Sequence, residues 1–135
     1  MKIKAALVAL AALLPFNLSA QEWPGGAVEV VVPYAPGGAA DVMGRVFMDA
    51  IGNKLGHIFV IKNTAGAGGL LAARQVARAT PDGRTLIISG AASHLLAPLM
   101  NKEANMDPVK EFTHIAYFGG RLPCLLCIPQ PASRP

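Results

Sequence analysis

Two glycine-bearing loops hold the residues best placed to do chemistry: Pro33-Tyr34-Ala35-Pro36-Gly37-Gly38-Ala39-Ala40-Asp41 and Asn63-Thr64-Ala65-Gly66-Ala67-Gly68-Gly69. Each follows a short apolar run and opens a stretch with helical spacing. Strand, glycine loop and helix in that order aim bare backbone N–H groups and the positive end of a helix dipole at an anion. Glycine lets the backbone approach a ligand and reach the φ values that such turns need. The natural guest of two such loops is a carboxylate or another small anion.

In the first loop the amides of Gly37, Gly38, Ala39 and Ala40 stand at a helix start. Asp41 falls in the first helical turn, where it suits either capping or contact with a ligand or its water. The Tyr34 ring suits either the carbon skeleton of a ligand or packing beneath the loop. In the second loop Asn63 is expected to tie the turn to itself, as Asx side chains do, leaving the amides of Ala67, Gly68 and Gly69 for an anion. A third loop, residues 89–94, brings the Ser89 and Ser93 hydroxyls and His94, the last more in keeping with a structural role. His57 and His114 begin strands, at the wrong end for this site, and read as structural.

The elements that must position these loops alternate. Residues 28–32 form a nearly continuous β-branched run, as in a strand covered on both faces. Ala39, Val42, Met43, Val46, Phe47, Ala50 and Ile51 recur at helical spacing, with Asp41, Arg45, Asp49 and Lys54 on the opposite side. Gly52 and Gly56 close that helix, and residues 57–61 supply a second strand. A second helix runs from Gly68 or Gly69 to Ala79 with Arg74 and Arg78 toward solvent, and Thr80-Pro81-Asp82-Gly83 turns the chain. Residues 85–89 read as a third strand, 93–100 as a short helix interrupted near Pro98, and 115–118 and 122–128 as further strands. The order predicts an α/β fold with a mainly parallel sheet and right-handed crossovers. Ligands of open α/β sheets bind at the carboxyl ends of the strands, where the three loops converge.

Catalytic patterns are missing. In Gly66-Ala67-Gly68-Gly69-Leu70-Leu71, Leu71 stands where a dinucleotide fingerprint needs its third glycine. The sequence holds no G-K-[ST] and no G-x-S-x-G, which argues against a nucleotide-binding enzyme or a hydrolase. No cofactor is expected. Cys124 and Cys127 stand in C-x-x-C order, but positions three apart on a strand face opposite sides. Buried thiols, a disulfide, and metal or redox chemistry all stay open for them.

Lys2 and Lys4, the apolar residues 5–14, Pro15 and Ser19-Ala20 have the order of an export signal, and cleavage is expected before Gln21. The apolar run falls short of the ~20 residues that span a bilayer. Removing residues 1–20 leaves ten basic against eight acidic residues, a net charge of +2. That balance argues neither for nucleic acid nor for a membrane surface. Residues 21–135 suffice for one ordinary domain.

The chain resembles the Bug-type extracytoplasmic solute receptors, the substrate-binding proteins of tripartite tricarboxylate transporters. Four stretches carry the likeness in the family's order: Val31 through Asp41, Asn63 through Gly69, Pro81-Asp82-Gly83-Arg84-Thr85-Leu86, and Asp107-Pro108-Val109-Lys110-Glu111-Phe112. The resemblance implies a periplasmic-binding-protein-like fold of two α/β lobes. It also implies capture of a small carboxylate (a di- or tricarboxylate or an acidic amino acid) for membrane transporter subunits. The carboxylate-holding loops map onto Tyr34 through Asp41 and Ala65 through Gly69. Gly90, Ala91 and Ala92 replace the hydroxyl residues usual in the third loop. Relatives are longer, so residues 21–135 are expected to form an incomplete first lobe with the second lobe missing, either a receptor lobe or a non-binding remnant. Residues 122–128 are then expected to form an exposed apolar edge strand.

Overall fold

The computed structural model describes residues 23–101, 104–118 and 124–131; the export signal expected over 1–20 lies outside them. Among these residues five strands make one sheet: β1 (Val28–Val32), β2 (Phe59–Asn63), β3 (Thr85–Gly90), β4 (Phe112–Phe118) and β5 (Cys124–Pro129), in the order β2-β1-β3-β5-β4. Between them run α1 (Ala39–Leu55), α2 (Leu70–Ala77), entered through a 3-10 turn at Ala67–Gly69, and α3 (Ala97–Met100), entered through a π-helical turn at Ala92–Leu96. Among the described residues no helix is long and apolar enough to cross a membrane.

The Val-rich β1 occupies the interior, flanked on both sides by parallel partners, β2 and β3. Its alternate side chains therefore meet two different layers. Val28, Val30 and Val32 join Leu86, Ile88, Leu126 and Met48 of α1 in one core, with Met43 and Ile51 packed on it. Val31 joins Ile87, Phe112, Cys127 and the α2 residues Ala72, Ala73 and Val76 in the other. Burying a Val, Leu or Ile side chain contributes about 1.5–3 kcal/mol, so the two cores fix which helix covers which face. Gly44 lets α1 lie close, since a Cβ there would stand 3.3 Å from Ile88 Cδ1.

The α/β fold and the parallel pairing of the first three strands are as the sequence predicts. The remaining strands depart from it. β5 inserts antiparallel between β3 and β4, so the sheet is mixed, and the strand expected as an apolar edge over 122–128 is, over its described residues from Cys124 on, an interior strand. Among the described residues the edges are β2 and β4. The strand expected over 57–61 lies two residues further on, from Phe59 to Asn63, and the one expected over 115–118 begins earlier, at Phe112. That extension puts Asn63 at the carboxyl end of β2, in register with Val32.

Candidate functional site

The three loops converge at the carboxyl ends of β1, β2 and β3, and side chains lock them together. Asp41 is the hub of the first two. Its Oδ2 accepts from the Gly37 N–H at 2.9 Å and from Arg45 Nε at 3.1 Å. Its Oδ1 accepts from Asn63 Nδ2 at 2.9 Å and faces Arg45 Nη2 at 3.0 Å. Asp41 is only 3% exposed, so it does not lie on the solvent side of α1 as its helical position suggests. The Arg45 hydrogen bond, then the Gly37 amide and the Asn63 amide, hold its carboxyl well below the usual carboxylate range. The same contact raises the Arg45 guanidinium. With both oxygens engaged, Asp41 shapes the first loop from beneath.

Asn63 corrects a second expectation. Its Nδ2 also donates to the Tyr34 carbonyl at 3.1 Å, and its Oδ1 accepts from Arg45 Nη2 at 3.2 Å. It therefore ties the second loop to the first instead of to itself, because the parallel register sets it beside Val32.

The third loop is tied in the same way. The Tyr34 hydroxyl donates to Ser93 Oγ at 3.1 Å. Ser93 Oγ also accepts from the Gly90 N–H and donates to the Gly90 carbonyl, both at 3.2 Å. Ser93 is thus a buried knot with its hydroxyl fully used. Ser89, also buried, has a hydroxyl with no hydrogen-bond partner among the described residues. Gly69 completes the junction at φ +96°, because a Cβ there would collide with Ser93 Cβ and lie 3.2 Å from Pro33 Cβ.

Not every expected amide remains available. Gly37 N–H is taken by Asp41, and Gly69 N–H by the Gly66 carbonyl at 2.8 Å. The first intrahelical bond of α1 is Val42 N–H to the Gly38 carbonyl at 3.0 Å, and no side chain caps the helix. Gly38, Ala39 and Ala40 therefore offer first-turn donors without intrahelical acceptors, at the positive end of a 17-residue helix. Ala67 and Gly68 stand exposed across from them at the head of α2. These amides suit a carboxylate and ask nothing of side-chain charge.

His94 turns away from this site. It is buried on Phe112, ring centroids 4.8 Å apart, and its Nε2 lies 3.1 Å from His114 Nε2. Burial first, then His114, lowers it to about 4, against a pull from the Pro108 backbone. Cys127 is a free thiol pushed up to about 12 by burial, which fits the buried-thiol reading and not the disulfide. The Arg74 side chain, expected in solvent, donates to the Ala104 carbonyl at 2.9 Å. Sequence reasoning missed Arg45 as a brace; its i,i+4 spacing to Asp41 was the available signal.

Residues 43–134 match the family described as tripartite tricarboxylate transporter family receptor. Protein BugT of Bordetella pertussis is 37% identical over 82 residues, covering 61% of this chain and 25% of BugT. Among solved structures, MatC from Rhodopseudomonas palustris with bound malate superposes at a TM-score of 0.66 with 40% identity, covering 70% of this chain and 32% of MatC. Rpa4515 from R. palustris with adipate gives a TM-score of 0.66 at 33% identity, covering 71% and 32%. The chain thus spans about a quarter to a third of the length of the relatives it matches.

Proposed function

We propose, from the premise that this chain belongs to the tripartite tricarboxylate transporter receptor family, that it binds one end of a small dicarboxylate as part of an extracytoplasmic receptor. One observation carries this reading. Two loops present backbone amides without an acceptor among the described residues, those of Gly38, Ala39 and Ala40 at the start of α1 and those of Ala67 and Gly68 in the 3-10 turn before α2, and the Asp41–Asn63 bond ties the two loops together. Malate and adipate in two neighbours support the dicarboxylate class. Ser89 is the side chain proposed to reach the ligand, while Tyr34, Ser93 and Asp41 hold the loops that do.

The family and the signal-like residues 1–20 support, as part of the same proposal, delivery to membrane transporter subunits and a periplasmic location. Recognition through backbone amides reads a carboxylate and little else of the molecule. The residues present match about a third of the length of these neighbours and supply one wall of the site while bearing the full entropic cost of capture, so on their own they are expected to bind at ~4 kcal/mol or weaker, in the millimolar range.

The test is NMR titration of the chain with malate and with adipate. Both are expected to shift the amide signals of Gly38, Ala39, Ala40, Ala67 and Gly68 in a saturable way. Shifts confined to other residues, or none, overturn the reading. N-terminal sequencing of the secreted product tests the location: a start at or near Gln21 is expected, and an intact Met1 on cytoplasmic protein removes it.

A further inference from the structure

The geometry assigns His94, His114 and Cys127 to a site for one borderline divalent cation, of which zinc fits best. The site sits on the α2 face of the sheet, apart from the glycine loops, and stands whether or not a carboxylate binds. Its origin is the strand register. His114 on β4 pairs across to Cys127 on β5, and Cys127 in turn pairs with Ile87 on β3. Directly opposed residues share one face of a sheet, here the face on which Ile87 and Cys127 pack with α2. The helical segment after β3 then crosses this face and lowers His94 onto the pair, Nε2 to Nε2 at 3.1 Å.

Two imidazole nitrogens and one sulfur all lie within 4.8 Å of one another. Zinc takes histidine nitrogen at about 2.0–2.1 Å and cysteine sulfur at about 2.3 Å in a tetrahedron. Those lengths place nitrogen ligands about 3.3 Å apart, and nitrogen and sulfur about 3.6 Å apart. The imidazole pair is already near that spacing, and ligation requires the thiol to close the remaining distance. Binding breaks the Cys127 S–H bond, forms a sulfur–metal bond and releases that proton to solvent. The imidazole that donates across the Nε2–Nε2 contact gives up its Nε2 proton and takes one from solvent at Nδ1, so that both rings ligate as neutral imidazoles. The exposed His114 side gives a way in and leaves the fourth position to water. Nitrogen and thiolate ligands select zinc over magnesium or calcium, which prefer oxygen.

The cation would tie β4 and β5 to the segment carrying Ser93, whose hydroxyl holds Tyr34. The competing account of the His94–His114 contact is an ordinary imidazole–imidazole hydrogen bond, and experiment separates the two. The full chain, stripped with a chelator, is titrated with Zn2+ against a chromophoric competitor and separately with Co2+. One ion per chain is expected, with a thiolate-to-cobalt charge-transfer band. His114→Ala, on an exposed side chain, and Cys127→Ser are each expected to weaken zinc by more than about 100-fold, beyond the cost of losing an outer partner. Circular dichroism checks that both variants fold, and His57→Ala is expected to leave affinity and band unchanged. A wild-type chain without the band, or wild-type zinc affinity in a folded His114→Ala variant, overturns the site.

Discussion

Asn63 Nδ2 donates to Asp41 Oδ1 at 2.9 Å, and this bond joins two loops whose residues lie 22 apart in the chain. Each loop alone is a strand-to-helix turn. Joined, they face a common space at the carboxyl ends of β1 and β2. Asn63→Ala removes this bond and the one to the Tyr34 carbonyl, leaving partly buried groups without their partner. The expected loss is about 1–3 kcal/mol, read as a lower urea midpoint with an unchanged m-value. A midpoint equal to wild type would mean that the loops hold their positions without the tie.

Acid should weaken the same junction. The Asp41 carboxyl is held below its ordinary value of 3.8 by Arg45, Gly37 and Asn63. A carboxyl depressed in the folded state contributes stability that is present above pH 3.8 and is lost as the pH falls below that value and through the folded one. Asp107, depressed by the Val109 and Lys110 amides, acts in the same direction. Thermal melts from pH 7 to pH 2.5 should therefore show a steeper acid loss in wild type than in Asp41→Asn, with a smaller slope remaining from Asp107. Parallel acid limbs would remove Asp41 from this role.

The glycines differ in what they can tolerate. Gly69→Ala forces a left-handed conformation on alanine and drives its Cβ into Ser93. Strain and overpacking each cost about 1–3 kcal/mol, and carboxylate binding should be lost with the junction. Gly38→Ala meets only the Ala35 carbonyl at 3.5 Å, at an ordinary φ of −73°. Its melting temperature should stay near wild type, within the roughly 0.5 kcal/mol of a neutral surface change. Equal damage from both substitutions would contradict the geometry.

The loops, the helices and the parallel half of the sheet were legible because their signals are local. A β-branched run, an apolar stripe and a glycine turn each stand within a dozen residues. Asp41 was misread because a carboxylate on a helix wheel looks solvated, and its partner Asn63 is set by strand register, which no short window contains. The place of β5 was hidden for the same reason: nothing within Cys124–Pro129 says that it slots between β3 and a strand made earlier in the chain. His94 and His114 meet only because of that insertion.

The same insertion moves the aggregation hazard from β5 to β4. β5 has its backbone paired on both sides, whereas β4 ends the described sheet with Ile115 52% and Tyr117 64% exposed. An exposed apolar edge is a template for pairing with another chain. β2, the opposite edge, carries Lys62, ion-paired to Glu29 at 3.3 Å, and a lysine of this kind blunts an edge. The chain is therefore expected to self-associate through β4 with rising concentration. Ile115→Lys copies the device of β2 and should raise the monomer fraction in light scattering, while Val60→Lys on β2 should change it little. An equal gain from both variants would point to general charge as the cause, and no gain from Ile115→Lys would clear β4 as the contact.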